Sequence, residues 1–453
     1  MKTKSVSFFH DVLPFFTFAF FLSLMVLCLP SNSFAADLDM DVRPENPTVL
    51  KNSDAANAIQ IRIVAPDGIF SDDRPPLNLA LVLDKSGSMA DEGKIRYVLR
   101  AAHMLVNRLS PDDILSIVTY DNRVRVPISA RKVKNRKKFH QAIDGLYPGG
   151  RTYLSGGLEE GFRQARKNRG KGYVSRVILL SDGLANLGVL NPRRLSERAS
   201  AMYESGVSVS TFGMGLEFDE DLLGSMAYGG GGKYHYISSP GDILAALDRE
   251  FNMVSRTVAS GVQIIIRPSP GCRFESAPGH RWHMERGATV IGIGDISAGE
   301  TRTLLARMSV PTHDPGSLDV ATVEVLFRDP VTGKEHRQDQ SFIALKVVDD
   351  PREHFENFDK EVQRKKAVME SSAMMNEAAG KVDSGDKAGA LSIIRQVLGS
   401  LKSAPRDEVV LQEMERVQDY SDQIEEMDNM APAEVEEIQK EMKYYNYQEL
   451  NER

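Results

Sequence analysis

Residues 76–255 alternate short apolar runs with segments whose apolar residues recur at helical spacing. The apolar runs are Leu77–Leu83, Ile114–Tyr120, Val174–Leu180, Val207–Phe212 and Tyr234–Ile237. The helical patterns between and after them cover Lys94–Leu109, Lys134–Leu146, Ser155–Lys167, Pro192–Ser205, Asp219–Ala227 and Asp242–Ser255. Strands that alternate with helices predict an α/β domain with a doubly wound, mostly parallel sheet covered on both faces. Val124–Ile128 follows the second run after only a tight turn, which predicts one antiparallel edge strand.

The segments on either side of this domain have the two-residue period of β-strands. Residues 36–75 alternate in this way, for example from Ile59 to Val64, and residues 256–348 return to the same pattern. The first segment is too short to enclose a core of its own. We therefore predict that both segments pair in one β-sandwich, into which the α/β domain is inserted.

Residues 349–453 form a third region, which is helical and acidic. Helical periodicity covers Glu353–Ala379, Asp386–Leu401 and Arg406–Met430, and Pro432 suits the first turn of a last helix. This region holds 25 acidic and 14 basic residues, a net charge of −11, against −7 for the whole chain. It is therefore predicted to be a separate acidic unit attached to a nearly neutral body.

The composition excludes several classes of protein. The chain has 453 residues, enough for two to four domains, and its 42% apolar and 26% charged residues are typical of globular proteins. Two cysteines are too few for a disulfide scaffold or a multi-cysteine zinc module. A net charge of −7 argues against a nucleic-acid partner, because phosphate recognition requires a basic surface.

The first 35 residues have the pattern of a secretory signal peptide. Lys2 and Lys4 precede an apolar run from Val12 to Pro30, and small residues then allow cleavage after Ala35. This predicts export to the periplasm, the cell surface or the medium. The alternative is an uncleaved membrane anchor, since the run is long enough to cross a bilayer. No later run has that length, so no membrane span is expected after cleavage.

Three loops carry side chains suited to a metal ion. Asp84, Ser86 and Ser88 follow the first strand of the α/β domain, Thr152 precedes a helix, and Asp182 follows another core strand. Open α/β sheets bind ligands beyond the carboxyl ends of their strands, where these loops would meet. Two carboxylates and three hydroxyls, without imidazole or thiolate, favour Mg²⁺, Mn²⁺ or Ca²⁺ over zinc or copper.

These motifs resemble the metal-ion-dependent adhesion site of von Willebrand factor type A (VWA) domains. The resemblance covers about residues 76–253 and includes the order and spacing of all three motifs. The wider layout is similar to bacterial secreted proteins labelled as calcium-activated chloride channel homologues, and to inter-alpha-trypsin inhibitor heavy chains. The resemblance implies that Ser86, Ser88 and Thr152 ligate a divalent cation directly, with Mg²⁺ as first candidate. It also implies that Asp84 and Asp182 act partly through water, and that an Asp or Glu of a partner protein completes the coordination.

The expected function is therefore that of an exported, non-enzymatic binding protein. No nucleophile–base pair is visible, and the loops supply too few carboxylates for a two-metal hydrolase. The alternative is a structural or assembly protein of the cell envelope. In that case the acidic helices mediate association and the metal site only stabilises the fold.

Overall fold

The computed structural model describes residues 37–53, 55–67, 74–169, 172–338 and 340–451. The proposed signal peptide lies outside these residues. The strands, in chain order, are β1 (Asp39–Pro44), β2 (Thr48–Leu50), β3 (Ala55–Val64), β4 (Leu77–Asp84), β5 (Ile114–Tyr120), β6 (Val124–Lys132), β7 (Val174–Ser181), β8 (Ser208–Met214), β9 (Gly231–Ile237), β10 (Thr257–Pro268), β11 (Arg273–Ser276), β12 (Trp282–Glu285), β13 (Ala288–Ser297), β14 (Thr301–Val310), β15 (Gly316–Arg328), β16 (Glu335–Arg337) and β17 (Ser341–Val348). The helices are α1 (Lys94–Arg108), α2 (Arg136–Asp144), α3 (Leu154–Arg166), α4 (Pro192–Glu204), α5 (Glu220–Gly229), α6 (Ile243–Ser255), α7 (Pro351–Glu356), α8 (Lys360–Asp383), α9 (Lys387–Ser403), α10 (Glu408–Glu426) and α11 (Pro432–Asn451).

The α/β part is a six-stranded sheet between two layers of helices. Its strand order is β6-β5-β4-β7-β8-β9, and every pairing is parallel except that of β6, the predicted antiparallel edge strand. Leu79 and Leu81 of β4 pack against α1, α2 and α6, while Ala80 and Val82 pack against α3, α4 and α5. Because both faces are covered, the strand is buried along its whole length and shows no polar/apolar alternation; apart from Asp84 at its end, its one polar residue is Asn78, whose amide donates to the carbonyl of Ala165.

The strands before and after the α/β part pair with each other. All ten residues of β3 are in antiparallel register with β14, and β2 runs parallel to β17. Two sheets result, with the orders β1-β3-β14-β11 and β12-β13-β10-β15-β17-β2, and they share one apolar core. The α/β part thus lies between β3 and β10 of a β-sandwich, which brings its two ends together.

The C-terminal region is helical, but its first predicted helix is divided. The pattern predicted one helix over Glu353–Ala379, whereas α7 ends at Glu356 and α8 begins after Asp359, whose carboxylate accepts N–H bonds from Glu361 and Val362. Helix α8 also continues through Gly380 to Asp383, because the turn that ends it uses the positive φ of Gly385. None of the described helices is long and apolar enough to cross a bilayer.

The helical region packs against both other parts of the molecule. Along α8, Val362 and Met369 bury against Leu305 of the sandwich, and Lys366 forms an ion pair with Glu45. Along α11, the tyrosines Tyr444 and Tyr447 pack on the α/β part. The acidic region is therefore not a free arm.

Candidate metal site

The first site loop leaves the end of β4 through a turn made by Asp84. One carboxylate oxygen of Asp84 accepts the N–H of Ser86 at 2.8 Å, an Asx-type turn that reverses the chain locally. The Ser86 and Ser88 hydroxyl oxygens then lie 3.2 Å apart. The other Asp84 oxygen accepts the hydroxyl of Ser181 at 2.9 Å, which joins this loop to the end of β7.

The other two predicted ligands face the same space. Ser88 donates its hydroxyl to Asp182 at 2.8 Å, so Asp84, Ser86, Ser88 and Asp182 lie along one chain of close polar contacts. A Cβ added to Gly183 would lie 3.4 Å from Ser88 Oγ and 3.8 Å from Thr152 Oγ1. The absent side chain of Gly183 therefore leaves a small polar cradle. The structure brings together all five residues that the sequence singled out.

Backbone bonds hold the first loop and the Thr152 loop in register. Gly87 donates to the carbonyl of Gly150 at 3.0 Å, and Gly149 donates to that of Lys85 at 2.7 Å. Gly150 has φ +93°, a conformation that L side chains rarely adopt, and a Cβ there would press on Asp121 at 3.2 Å. Gly150 thus has a steric and conformational role beside Asp121, at the end of β5.

The two carboxylates are buried and close to one another. Asp84 and Asp182 are each 0% exposed. Burial raises the pKa of Asp84 to about 6, and the negative charge of Asp182 contributes in the same direction. Burial also raises the pKa of Asp182, although Ser88 and the Lys94 ammonium, 3.2 Å from its Oδ2, oppose that change. The site therefore concentrates negative charge that one ammonium only partly balances.

The family of this part of the chain follows from comparison with known proteins. Residues 78–248 match the von Willebrand factor type A domain family. The chain contains a VWA domain. Its fold resembles that of a von Willebrand factor type A protein from Catenulispora acidiphila, with a TM-score of 0.73 and 14% identity over 92% of this chain and 97% of that one.

Sequence comparison also finds relatives of this chain. The uncharacterized protein YfbK of Escherichia coli is 30% identical in an alignment that covers 56% of this chain and 45% of YfbK. The uncharacterized protein sll0103 of Synechocystis is 27% identical over 74% of this chain and 81% of its own length. Inter-alpha-trypsin inhibitor heavy chain H4 of Homo sapiens is 26% identical in an alignment that covers 46% of this chain and 23% of that heavy chain.

VWA domains often bind a divalent metal, and the residues present in this one fit such an ion. The donors are all oxygens, as Mg²⁺, Mn²⁺ and Ca²⁺ prefer. The cradle in front of Gly183 offers space beside Ser88 and Thr152. A cation there would also stabilise the ionised forms of Asp84 and Asp182, which burial disfavours.

Sequence reasoning missed three residues that support the site. Asn186 accepts the N–H of Thr152 at 2.9 Å, and Asn122 accepts that of Arg151 at 2.7 Å. Lys94 lies in the first turn of α1, where a positive charge opposes the helix dipole. An unfavourably placed lysine of this kind indicates, from the sequence alone, that a carboxylate lies nearby. The asparagines give no such signal, because asparagine is common in loops.

A second group of acids lies between α5 and α8. Carboxylate oxygens of Glu220, Asp221 and Asp383 lie within 4.8 Å of one another. The ammonium of Lys443 on α11 contacts all three, at 2.7, 3.0 and 2.6 Å. The group is thus filled by a side chain of the same protein, and it anchors α11.

Proposed function

We propose that this protein binds a partner protein through a divalent cation held by the VWA domain. The proposed ligands are Asp84, Ser86 and Ser88 after β4, Thr152 in the loop before α3, and Asp182 after β7. An Asp or Glu of the partner completes the coordination. The protein acts outside the cytoplasm and catalyses no reaction.

The convergence of five oxygen side chains carries this proposal: Ser88 and Thr152 lie beside the Gly183 cradle, and Asp84, Ser86 and Asp182 are joined to Ser88 by close polar contacts. A bound divalent cation supplies an electron-pair acceptor for an outside carboxylate. The chain itself orients the donors, because backbone bonds and asparagine side chains fix all three loops. It also limits its own negative charge to two carboxylates, so an incoming acid is not repelled by a larger cluster.

The surface around the site supports a protein partner. Leu184, two residues after Asp182, is 60% exposed, and Tyr147, in the loop that leads to Thr152, is 75% exposed. Large apolar side chains at the rim of a polar site are features of protein–protein contacts, since their burial contributes affinity around the polar centre. Loss of both side chains should weaken capture without changing ion binding.

Calorimetric titration of the purified protein with Mg²⁺, Mn²⁺ and Ca²⁺ tests the site. The wild type should bind at one site, and Asp84→Ala should lose that binding. Asp219→Ala is the matched control, because the Asp219 carboxylate caps α5 and is not among the ligands.

Capture of a partner protein is the second experiment. Capture should require the ion and should cease when a chelator removes it. Measurable ion binding, or partner capture, that is equal in Asp84→Ala and the wild type would contradict the proposal.

One observation favours the alternative, an assembly role for the acidic helices. Val409 and Leu411 of α10 are exposed among acidic residues. Deleting the region is a poor test, because α11 covers Tyr234 of the VWA domain. Replacing both α10 residues by serine is a cleaner one. Association lost there and retained in Asp84→Ala would support assembly through the helices.

A further inference from the structure

Lys94 is a buried lysine whose charge is directed at the candidate metal site. It is the first residue of α1 and is only 5% exposed. Its ammonium lies 3.2 Å from Oδ2 of Asp182, and no other ion-pair partner is found for it among the described residues. A Cβ on Gly215 would lie 3.3 Å from the same nitrogen. The absence of a side chain at Gly215 thus leaves room for the end of the lysine.

A charged side chain at this position carries two free-energy costs, which indicates that the charge serves the function of the site. A lysine at the start of a helix faces the positive end of the helix dipole. Burying its ammonium carries a further desolvation cost, which one carboxylate only partly offsets. An uncharged residue of similar length would avoid both costs, but in the ion-free protein it would leave the buried carboxylate of Asp182 without its ion-pair partner.

The charge changes the electrical balance of the site. Two carboxylates and one ammonium sum to −1, so a divalent cation would bring the total to +1. Without Lys94, the two carboxylates would neutralise the cation completely. The remaining positive charge weakens ion binding by itself, and it favours an outside carboxylate that restores neutrality.

We propose that Lys94 sets the charge of the site, so that firm binding of the ion depends on a carboxylate from outside. This inference rests on the proposed function and specifies how ion and partner cooperate. Lys94 acts through Asp182 and is a positioning residue, not a ligand. In the ion-free protein it also stabilises the buried Asp182.

Titration with Mg²⁺ in chloride and in acetate tests this role, with acetate as the outside carboxylate. Lys94→Gln and Lys94→Met should bind Mg²⁺ about tenfold more tightly than the wild type in chloride. Acetate should raise the affinity of the wild type more than that of either neutral variant. Lys94→Arg, which keeps the charge, should behave as the wild type does.

Thermal melting in chelator provides a second readout. The neutral variants should melt at a lower temperature than the wild type, and Mg²⁺ should restore the loss. Lys233→Gln is the matched control, because Lys233 is a buried lysine whose ammonium lies 2.9 Å from Glu300 at the opposite end of the sheet. Its lower melting temperature should persist in Mg²⁺, and its ion affinity should not change.

The possible outcomes separate this inference from the proposed function. Equal or weaker Mg²⁺ binding in both neutral variants, with binding by the wild type, overturns the role of Lys94 alone. Binding by the neutral variants and not by the wild type supports it, since the lysine then excludes the ion until a carboxylate arrives. No binding by any of these proteins overturns the proposed function and this inference together.

Discussion

Two buried polar clusters lie at opposite ends of the same parallel sheet, and they differ in how their carboxylates are balanced. The metal-site cluster consists of Asp84, Ser86, Ser88, Thr152 and Asp182, and it lies beyond Ser181 at the carboxyl end of β7. The joint cluster consists of Arg176, Glu250 and Asp295. Arg176 lies five residues, or about 17 Å, before Ser181 on the same strand. There the guanidinium bridges Glu250 at 2.8 Å and Asp295 at 2.9 Å. Within the part of the chain that the structure describes, no cationic side chain contacts both carboxylates of the metal-site cluster.

The consequence is visible in the pKa values of the acids. Burial alone raises the pKa of Glu250, but Arg176 and a hydrogen bond from His235 outweigh burial and lower that pKa well below its usual range. Burial prevails for Asp84 and raises its pKa. The joint cluster therefore pairs both of its acids with one guanidinium and forms a structural connection between the VWA domain and the sandwich. The metal-site cluster holds acids that an added cation would stabilise.

The largest expected effect comes from removing the cation of the joint cluster. Arg176→Met leaves Glu250 and Asp295 buried without their guanidinium, so the free energy of unfolding should fall by about 3–5 kcal/mol. Urea denaturation in chelator measures this loss. The affinity for Mg²⁺ should not change, because the substitution lies at the other end of the sheet.

The exposed Arg193 of α4 supplies the control for that variant, since its ion pair with Glu197 is exposed to solvent. Arg193→Met should unfold almost as the wild type does. If Arg176→Met lowered the free energy of unfolding as little as Arg193→Met, the joint cluster would not be the structural connection described above.

The opposite result is expected at the metal-site cluster. Asp84→Asn should weaken Mg²⁺ binding by about a hundredfold or more, because it removes one of only two ligand charges. In chelator at pH 8 its stability should equal or exceed that of the wild type, because the substitution removes a buried charge whose pKa is raised. Calorimetry and urea denaturation check the two parts. A marked loss of stability in chelator would show that the two clusters do not differ as argued.

The ion pairs between the VWA domain and the sandwich should also make stability depend on pH. Glu300 of the sandwich forms such a pair with Lys233 of β9, at 2.9 Å. Burial raises the pKa of Glu300, but Arg302 and Lys233 outweigh burial and lower that pKa to about 2, from 4.5. A lowered pKa means that its contribution is complete above pH 4.5 and disappears as the pH falls towards 2. The wild type should thus lose roughly 2 kcal/mol more than Glu300→Gln over that range. Denaturation at several pH values measures the difference.

The exposed Glu285 of β12 is the control for the pH experiment. Glu285→Gln should follow the wild type throughout the acid range. A Glu300→Gln variant that did the same would show that the ion pair of Glu300 with Lys233 does not contribute to the acid sensitivity of the protein.

The smallest expected effect concerns the support of Thr152. Asn186→Ala removes the side chain that accepts the Thr152 N–H, so the hydroxyl should be less well oriented and the Mg²⁺ affinity should fall by about three- to tenfold. Asn191→Ala is a matched loop substitution, because Asn191 caps α4. It should cost about 1 kcal/mol of stability and leave ion affinity unchanged. An identical profile for the two variants would remove the role assigned to Asn186.

Much of the fold could be predicted because each pattern follows from local burial. The run at Leu77–Leu83, apolar except for Asn78, indicated a strand covered on both faces, and the structure places it at the centre of the sheet. The division between α7 and α8 was missed, because Asp359 acts as a cap only where the chain turns onto the sandwich. Short strands such as β12 carry too few residues to show a period.

The sequence by itself determined the VWA domain, its insertion into β-strands and the five oxygen side chains of the candidate site. These follow from residue types at fixed spacing, which the chain carries locally. Only the tertiary structure decided that Lys94 neutralises part of that site, that Asn186 supports Thr152, and that Arg176 connects two domains. Each of those roles depends on residues at least 34 positions apart in the chain, and the distance between their atoms is set by packing.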